Sequence, residues 1–386
     1  MRIIHVLPDV GMGGGAEQSF AATAEGLVER GHELHLVVFN ERRSLSLASQ
    51  IEAAGVQVHG LEPHRSTVVR ARAIRQIVAE LQPDLVHASL YLATAPTQLG
   101  LRNAHVPVLI TWTAMSYDRE RWAAGGVSRW RLEGVRRIEQ LLARWCPSDY
   151  QAVTEGVGRN YGRAIGVPPE RIHVSERGRA AAPPLDLERR SRTRASLGLS
   201  DDSVVVLCTA RQDPRKGLLR IVSCFDEIID RVPSAHLLIA GGEGEATPSL
   251  RNSIAGARHG DRVHLLGFRS DVSDLLEASD IFAVTSHTEG ACGSAIEAMA
   301  RGIPIVSARL AGLEGVLVAD ENALIVDGDV AGSFVAPVVQ LAHEPELARR
   351  IGKAGLETYE NRFTVERSLD ALESLYLSLV AAKGKD

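Results

Sequence analysis

Short runs of β-branched and other apolar residues alternate with longer stretches of helical periodicity along this sequence, break at a proline pair, and then start again. Before the break, 2–7 (RIIHVL), 33–39, 56–60, 84–88, 106–112 and 150–154 read as strands, and about 16–30, 67–81, 90–101 and 129–144 as helices. Strands joined by helical crossovers pair in parallel and form an open, doubly wound sheet. After Pro183-Pro184 and a dense charge cluster the pattern restarts, with strands at 203–209, 235–241, 263–267, 281–285 and 304–308 and helices at 217–231 and about 293–301. The expectation is an α/β chain of two Rossmann-like domains, 1–182 and 183–365, facing across a cleft where the strands' carboxyl ends would hold ligands. Leu and Val recur at helical spacing in the last stretch, 366–386, which is expected to cross back onto the first domain.

Composition removes several alternatives. The 386 residues suffice for two domains with cores of their own. Lys and Arg number 43 against 48 Asp and Glu, a net charge of -5, which offers no broad cationic surface for nucleic acid. Cys146, Cys208, Cys224 and Cys292 are widely spaced, without a CxxC pair, so no zinc site or disulfide framework is expected and a reducing cytosol fits. The longest apolar run, Val204 to Cys208, is far too short to span a bilayer, and the amino-terminal residues lack the apolar region of a signal peptide. A cytoplasmic protein is expected, with peripheral membrane contact left open.

Three segments carry chemistry. After the first strand, Gly11, Gly13, Gly14 and Gly15 lead into a helix, either as an ordinary tight turn or as a loop that lets the backbone approach a ligand. The spacing is not the dinucleotide fingerprint. In "TARQDPRKG", Arg211 and Lys216 follow a strand and precede a helix, which would set two cations at the sheet's carboxyl edge, able to neutralise a diphosphate and the charge growing on it as it leaves. In "TEGACGSAIEAMARGIPIVSA", Glu289 and Glu297 stand eight apart around a glycine turn that opens a helix. A helical rise over that interval is about 12 Å, enough for one carboxylate to reach a sugar and the other a ribose. The amides of Ala291, Cys292, Gly293 and Ser294 would face the phosphates between them.

These segments, with "LLIAGGEGE", "VHLLGFRSDVSDLLEASDIFAVTSHTEG" and "ENALIVDGD", resemble the donor half of the retaining glycosyltransferases of family 4, which adopt the GT-B arrangement; "GGGAEQSF" resembles that family's amino-terminal glycine loop. The resemblance implies a nucleotide-diphosphate sugar donor, a glycan, glycolipid or small-molecule acceptor, no metal or other cofactor, and retention of anomeric configuration. It assigns Arg211 and Lys216 to the diphosphate, Glu297 to the ribose, Glu289 and Gly290 to Ser294 to the sugar and phosphates, and Phe268 and Arg269 to the base. Two departures stand out: Ala291 and Cys292 where the family commonly has Phe and Gly, and Thr113 where it commonly has His.

His87, at the carboxyl end of "DLVHA", is the remaining histidine candidate for the catalytic site, with a buried structural role as the alternative. Arg177, Gly178 and Arg179 either point into the cleft or form a hinge charge cluster. Trp112, Trp122, Trp130 and Trp145 fall among seven arginines and four acids, and three readings remain open: core packing, acceptor stacking, or contact with an anionic membrane. The alternatives to glycosyl transfer are a nucleotide-sugar epimerase or hydrolase of the same fold, and a silent nucleotide-sugar binder.

Overall fold

The computed structural model describes residues 1–11, 15–40, 47–61, 66–118, 128–328 and 332–383. Strand β1 (Arg2–Asp9) is buried without interruption from Ile3 to Leu7, the pattern of a strand covered by helices on both faces. It lies inside a parallel sheet with β2 (Glu33–Asn40), β3 (Gln57–Gly60), β4 (Leu85–Ser89), β5 (Val108–Trp112), β6 (Asp149–Ala152) and β7 (Ile172–Val174), ordered β3-β2-β1-β4-β5-β6-β7. The second sheet consists of β8 (Val204–Thr209), β9 (Ala235–Ala240), β10 (Val263–Gly267), β11 (Ile281–Val284), β12 (Ile305–Ala308) and β13 (Leu324–Val326), ordered β10-β9-β8-β11-β12-β13. Both sheets wind outward from their first strand in the same order, so each has its switch point beside that strand, where ligands collect in such folds. The chain divides into one unit of 1–117, 127–180 and 362–386 and another of 118–126 and 181–361.

The returning helix is Val365–Lys383. Leu369, Leu372, Tyr376 and Leu379 join Phe20, Ala24 and Leu27 of the helix Gly15–Glu29 in one core. Arg30 fastens the outer face with bonds to Glu366, Asp370 and Glu373 of 2.6 to 2.8 Å. The Arg177–Arg179 segment belongs to the same joint: Arg179 N donates to Phe363 O and its guanidinium to Ser19 Oγ.

Two local expectations are corrected. The charge cluster after Pro183-Pro184 is a helix, Leu187–Ser196, capped by the Asp186 carboxylate on Arg189 N. Its arginines hold carboxylates of the second unit: Arg189 binds Glu277, and Arg190 and Arg194 grip Asp280 at 2.6 and 2.8 Å. The helix expected over 217–231 is two pieces, Leu219–Val222 and Phe225–Arg231. Cys224 leaves helical geometry between them, and its thiol turns back on Arg220 O.

Candidate functional site

The loops after β8, β9, β10 and β11 meet along the carboxyl edge of the second sheet. Backbone bonds join them, Gln212 N to Gly242 O at 3.0 Å and Gly241 N to Gly267 O at 2.8 Å. The single turn Pro214–Lys216 ends at Gly217, which has φ +59, and a Cβ there would lie 2.2 Å from Thr285 O. Only glycine permits both the left-handed backbone and that approach. The result is a turn pressed on the end of β11, with Thr285 Oγ1 donating to Lys216 O and His287 N to Arg215 O.

That contact brings Lys216 onto Glu289, with Nζ 2.5 Å from Oε1, while Ser286 Oγ donates to the same oxygen at 2.6 Å. The two side chains are 24% and 12% exposed. Burial, the largest single influence, would lower the Lys216 ammonium, but the charge and hydrogen bond of Glu289, with Cys292 adding, together outweigh it and hold the pKa above the ordinary value, so the cation persists. Gly312 packs against the far side of Glu289, leaving no room for a Cβ against its carbonyl.

Beyond Glu289, Cys292 takes the left-handed conformation at φ 46 and the helix Gly293–Ala300 starts. Helical rise thus applies only from Gly293 onward, and the sequence-derived ruler of eight helical residues overstates the regular part of the Glu289–Glu297 interval. Gly293, Ser294 and Glu297 form the less buried face of a helix otherwise packed into the unit. Burial, with Glu289 adding, pushes the Cys292 thiol up to about 11, which keeps it protonated at neutral pH.

Arg211 opens the same loop as Lys216 but pairs its Nε with Asp213 at 2.7 Å. At β10 the Phe268 ring is 66% exposed and Arg269 pairs with Asp271. From β10 to β11 is three strand spacings, about 14 Å. Along this edge Thr209 Oγ1, Gln212 Oε1 and Thr288 Oγ1 are buried without a hydrogen-bond partner among the described residues. Ser286, Gln212 and Asp213 went unnoticed in the sequence; only the place of Gln212 and Asp213 between Arg211 and Lys216 hinted at two of them.

In the first unit, the placement of His87 at a strand's open end is corrected. It is the middle residue of β4, 2% exposed, with Nδ1 2.6 Å from Tyr376 Oη and Nε2 bonded to Thr111 Oγ1. Thr111 passes the chain on to Gln151, and Gln151 to Ser175 O. Burial drives the His87 pKa well down, with the charges of His5 and Arg177 adding. A neutral ring with both nitrogens engaged is a structural node.

Gly14 lies outside the described residues, as does Trp122; Gly15 is the first residue of its helix. The other tryptophans divide. Trp112 stacks between Tyr150 and Tyr161 at 4.5 and 4.7 Å, whereas Trp130 and Trp145 are exposed. Glu139, bonded to Tyr117 beneath that stack, is pushed up to about 7 by burial. Among the described residues no group of three His, Cys, Asp or Glu is arranged to hold a metal ion, and no helix is long and apolar enough to cross a membrane.

Comparison with known proteins matches both halves. Residues 13–179 fit the model described as Glycosyltransferase Family 4, and 189–358 the one described as Glycosyl transferases group 1. The lipopolysaccharide core biosynthesis glycosyltransferase LpsE of Rhizobium meliloti is 30% identical over 49% of this chain, which spans about half (53%) of that relative's length. A D-inositol 3-phosphate glycosyltransferase of Saccharomonospora viridis is 29% identical over 78% of this chain and 71% of its own. The crystal structure of Anabaena HepE in complex with UDP superposes with a TM-score of 0.83 at 19% identity, covering 98% of this chain and 100% of that one. With two parallel sheets of like winding and both family models matched in succession, the chain belongs to the family 4 glycosyltransferases of the GT-B fold.

Proposed function

We propose that the protein transfers a sugar from a nucleotide-diphosphate donor to a hydroxyl of a glycan, glycolipid or small-molecule acceptor, with retention of anomeric configuration and without a metal ion. The observation that carries this reading is the Lys216–Glu289 pair beside the turn that starts the helix Gly293–Ala300. A cation, a carboxylate and a helix start at one edge suit a ligand that is anionic in the middle and hydroxylated at its end.

In this reading Lys216 and Arg211 neutralise the diphosphate and the charge that grows on it as the glycosidic bond breaks. Glu289 accepts hydroxyls of the sugar, the amides from Gly290 to Ser294 face phosphate and sugar, and Glu297 takes the ribose. Phe268 and Arg269 flank the base three strands away. Donor binding exchanges existing partners for new ones, since Arg211 must leave Asp213 and Lys216 must share or leave Glu289. HepE has been solved with UDP-glucose, which makes a uridine nucleotide the first donor to try.

The test is turnover of UDP-, GDP-, ADP- and dTDP-sugars in EDTA, each with and without a panel of glycan, glycolipid and small-molecule acceptors. One donor is expected to give acceptor-dependent release of nucleotide and a product of unchanged anomeric configuration by NMR. Conversion of the donor without acceptor would show epimerisation or hydrolysis instead. Inversion at the anomeric carbon, or activity restored only by manganese, would overturn those parts of the reading.

A further inference from the structure

The helix Arg129–Trp145 half-buries Leu132, Val135 and Leu142 and buries Ala143, but it turns four further apolar residues away from the core. At about 100° per residue, Trp130, Ile138, Leu141 and Trp145 fall within an arc of roughly 80°. The buried Ala143 lies opposite that arc, so the stripe faces away from the unit. Trp130 is 86% and Trp145 68% exposed, and Ile138 and Leu141 are exposed between them. From Trp130 to Trp145 the stripe runs about 22 Å.

Charge borders the stripe on both sides. Arg131 lies along one margin and Arg137 and Arg144 along the other, all exposed. The helix contains five arginines and two glutamates. Neither acid opposes the stripe: Glu133 is held by Arg136 at 2.6 Å and Arg137 at 3.3 Å, and Glu139 is turned inward onto Tyr117. Indoles and aliphatic groups flanked by guanidinium groups match the boundary between acyl chains and anionic headgroups, where tryptophan settles and arginine meets phosphate.

We propose that the outward face of the helix Arg129–Trp145 docks this protein on an anionic lipid bilayer. The contact is independent of turnover and of which sugar is moved, so it stands or falls apart from the transferase reading. Its consequence is that acceptors presented at a membrane surface are searched for in two dimensions.

The test is co-sedimentation of the full chain with vesicles of phosphatidylglycerol and phosphatidylcholine in equal parts, against vesicles of phosphatidylcholine alone. Binding to the mixed vesicles is expected to be at least about tenfold tighter and to weaken with added salt. Trp130→Ser with Trp145→Ser should lower it at least about tenfold through lost insertion. Arg131→Glu, Arg137→Glu and Arg144→Glu together should do the same with the indoles intact. All these positions are exposed, and unchanged melting temperatures would show that both variants fold. Equal binding to both vesicle types, or binding unaffected in both variants, overturns the proposal. So does a dimer in lipid-free solution that the tryptophan variant dissociates, because the stripe would then be covered by a second copy.

Discussion

The two sheets share a winding order and differ in where they keep their polar groups. In the second unit the middle strands are apolar, VVVLCT in β8 and IFAV in β11, and the charges of the candidate site, Lys216 on Glu289 and Arg211 on Asp213, come past their carboxyl ends. In the first unit polarity runs through the sheet itself: His5, His87, Thr111 and Gln151 are buried, the last three linked in sequence, and Tyr376 of the returning helix bonds to His87. Groups at an edge can change partners when a ligand arrives. Groups within a sheet hold strands and helix together, and cost stability when disturbed.

The largest effect should separate the two regions by kind. Lys216→Ala is expected to lower kcat by two decades or more, about 2.7 kcal/mol of transition-state stabilisation, with little change in melting temperature. Steady-state kinetics with the nucleotide sugar that the donor panel turns over checks it, and near-normal kcat would remove Lys216 from the reaction. The reverse profile is expected in the first unit. Burial, with the Arg177 charge, lowers His5 to about 3, so its neutral form is favoured in the folded state. The unfolded chain therefore takes up a proton first, and stability present above pH 6.5 is lost as pH falls from there towards 3. His5 alone should cost about 2 kcal/mol by pH 5. Urea unfolding at pH 7 and pH 5 measures it, and a His5→Asn variant should show a smaller fall; an equal fall would place the titration elsewhere. The smallest effect is expected from Tyr376→Phe, which leaves His87 Nδ1 without its partner and should cost about 1.5 kcal/mol with kcat unchanged. Loss of kcat without loss of stability would return His87 to the reaction.

Those contrasts also mark what the sequence makes readable. Buried parallel strands appear as unbroken β-branched runs, so β1, β8 and β11 could be located from composition over a few residues. The cluster at the second sheet's carboxyl edge could be read because its cations, acids and glycines come directly after such runs, as in "RQDPRKG" and "TEGACG". His87 misled because a position near a strand's end does not disclose a tyrosine 289 residues away. The helix Leu187–Ser196 was hidden for the same reason: its arginines resemble a solvated linker until Glu277 and Asp280, more than 80 residues on, are seen to receive them. Local pattern shows which groups reach an edge, and distant partners decide which are sealed inside.

The returning helix bears on the order in which the chain can be completed during synthesis. Residues 1–180 leave the ribosome well before 365–383, and until then Phe20, Ala24 and Leu27 lack the cover of Leu369, Leu372 and Leu379. His87 waits equally long for Tyr376. The second unit, 181–361, has all its own residues before that helix exists. The middle of this polypeptide can therefore reach its final packing ahead of the beginning, and the first unit must pass much of its synthesis with an open apolar seam, the condition under which nascent chains aggregate or recruit chaperones.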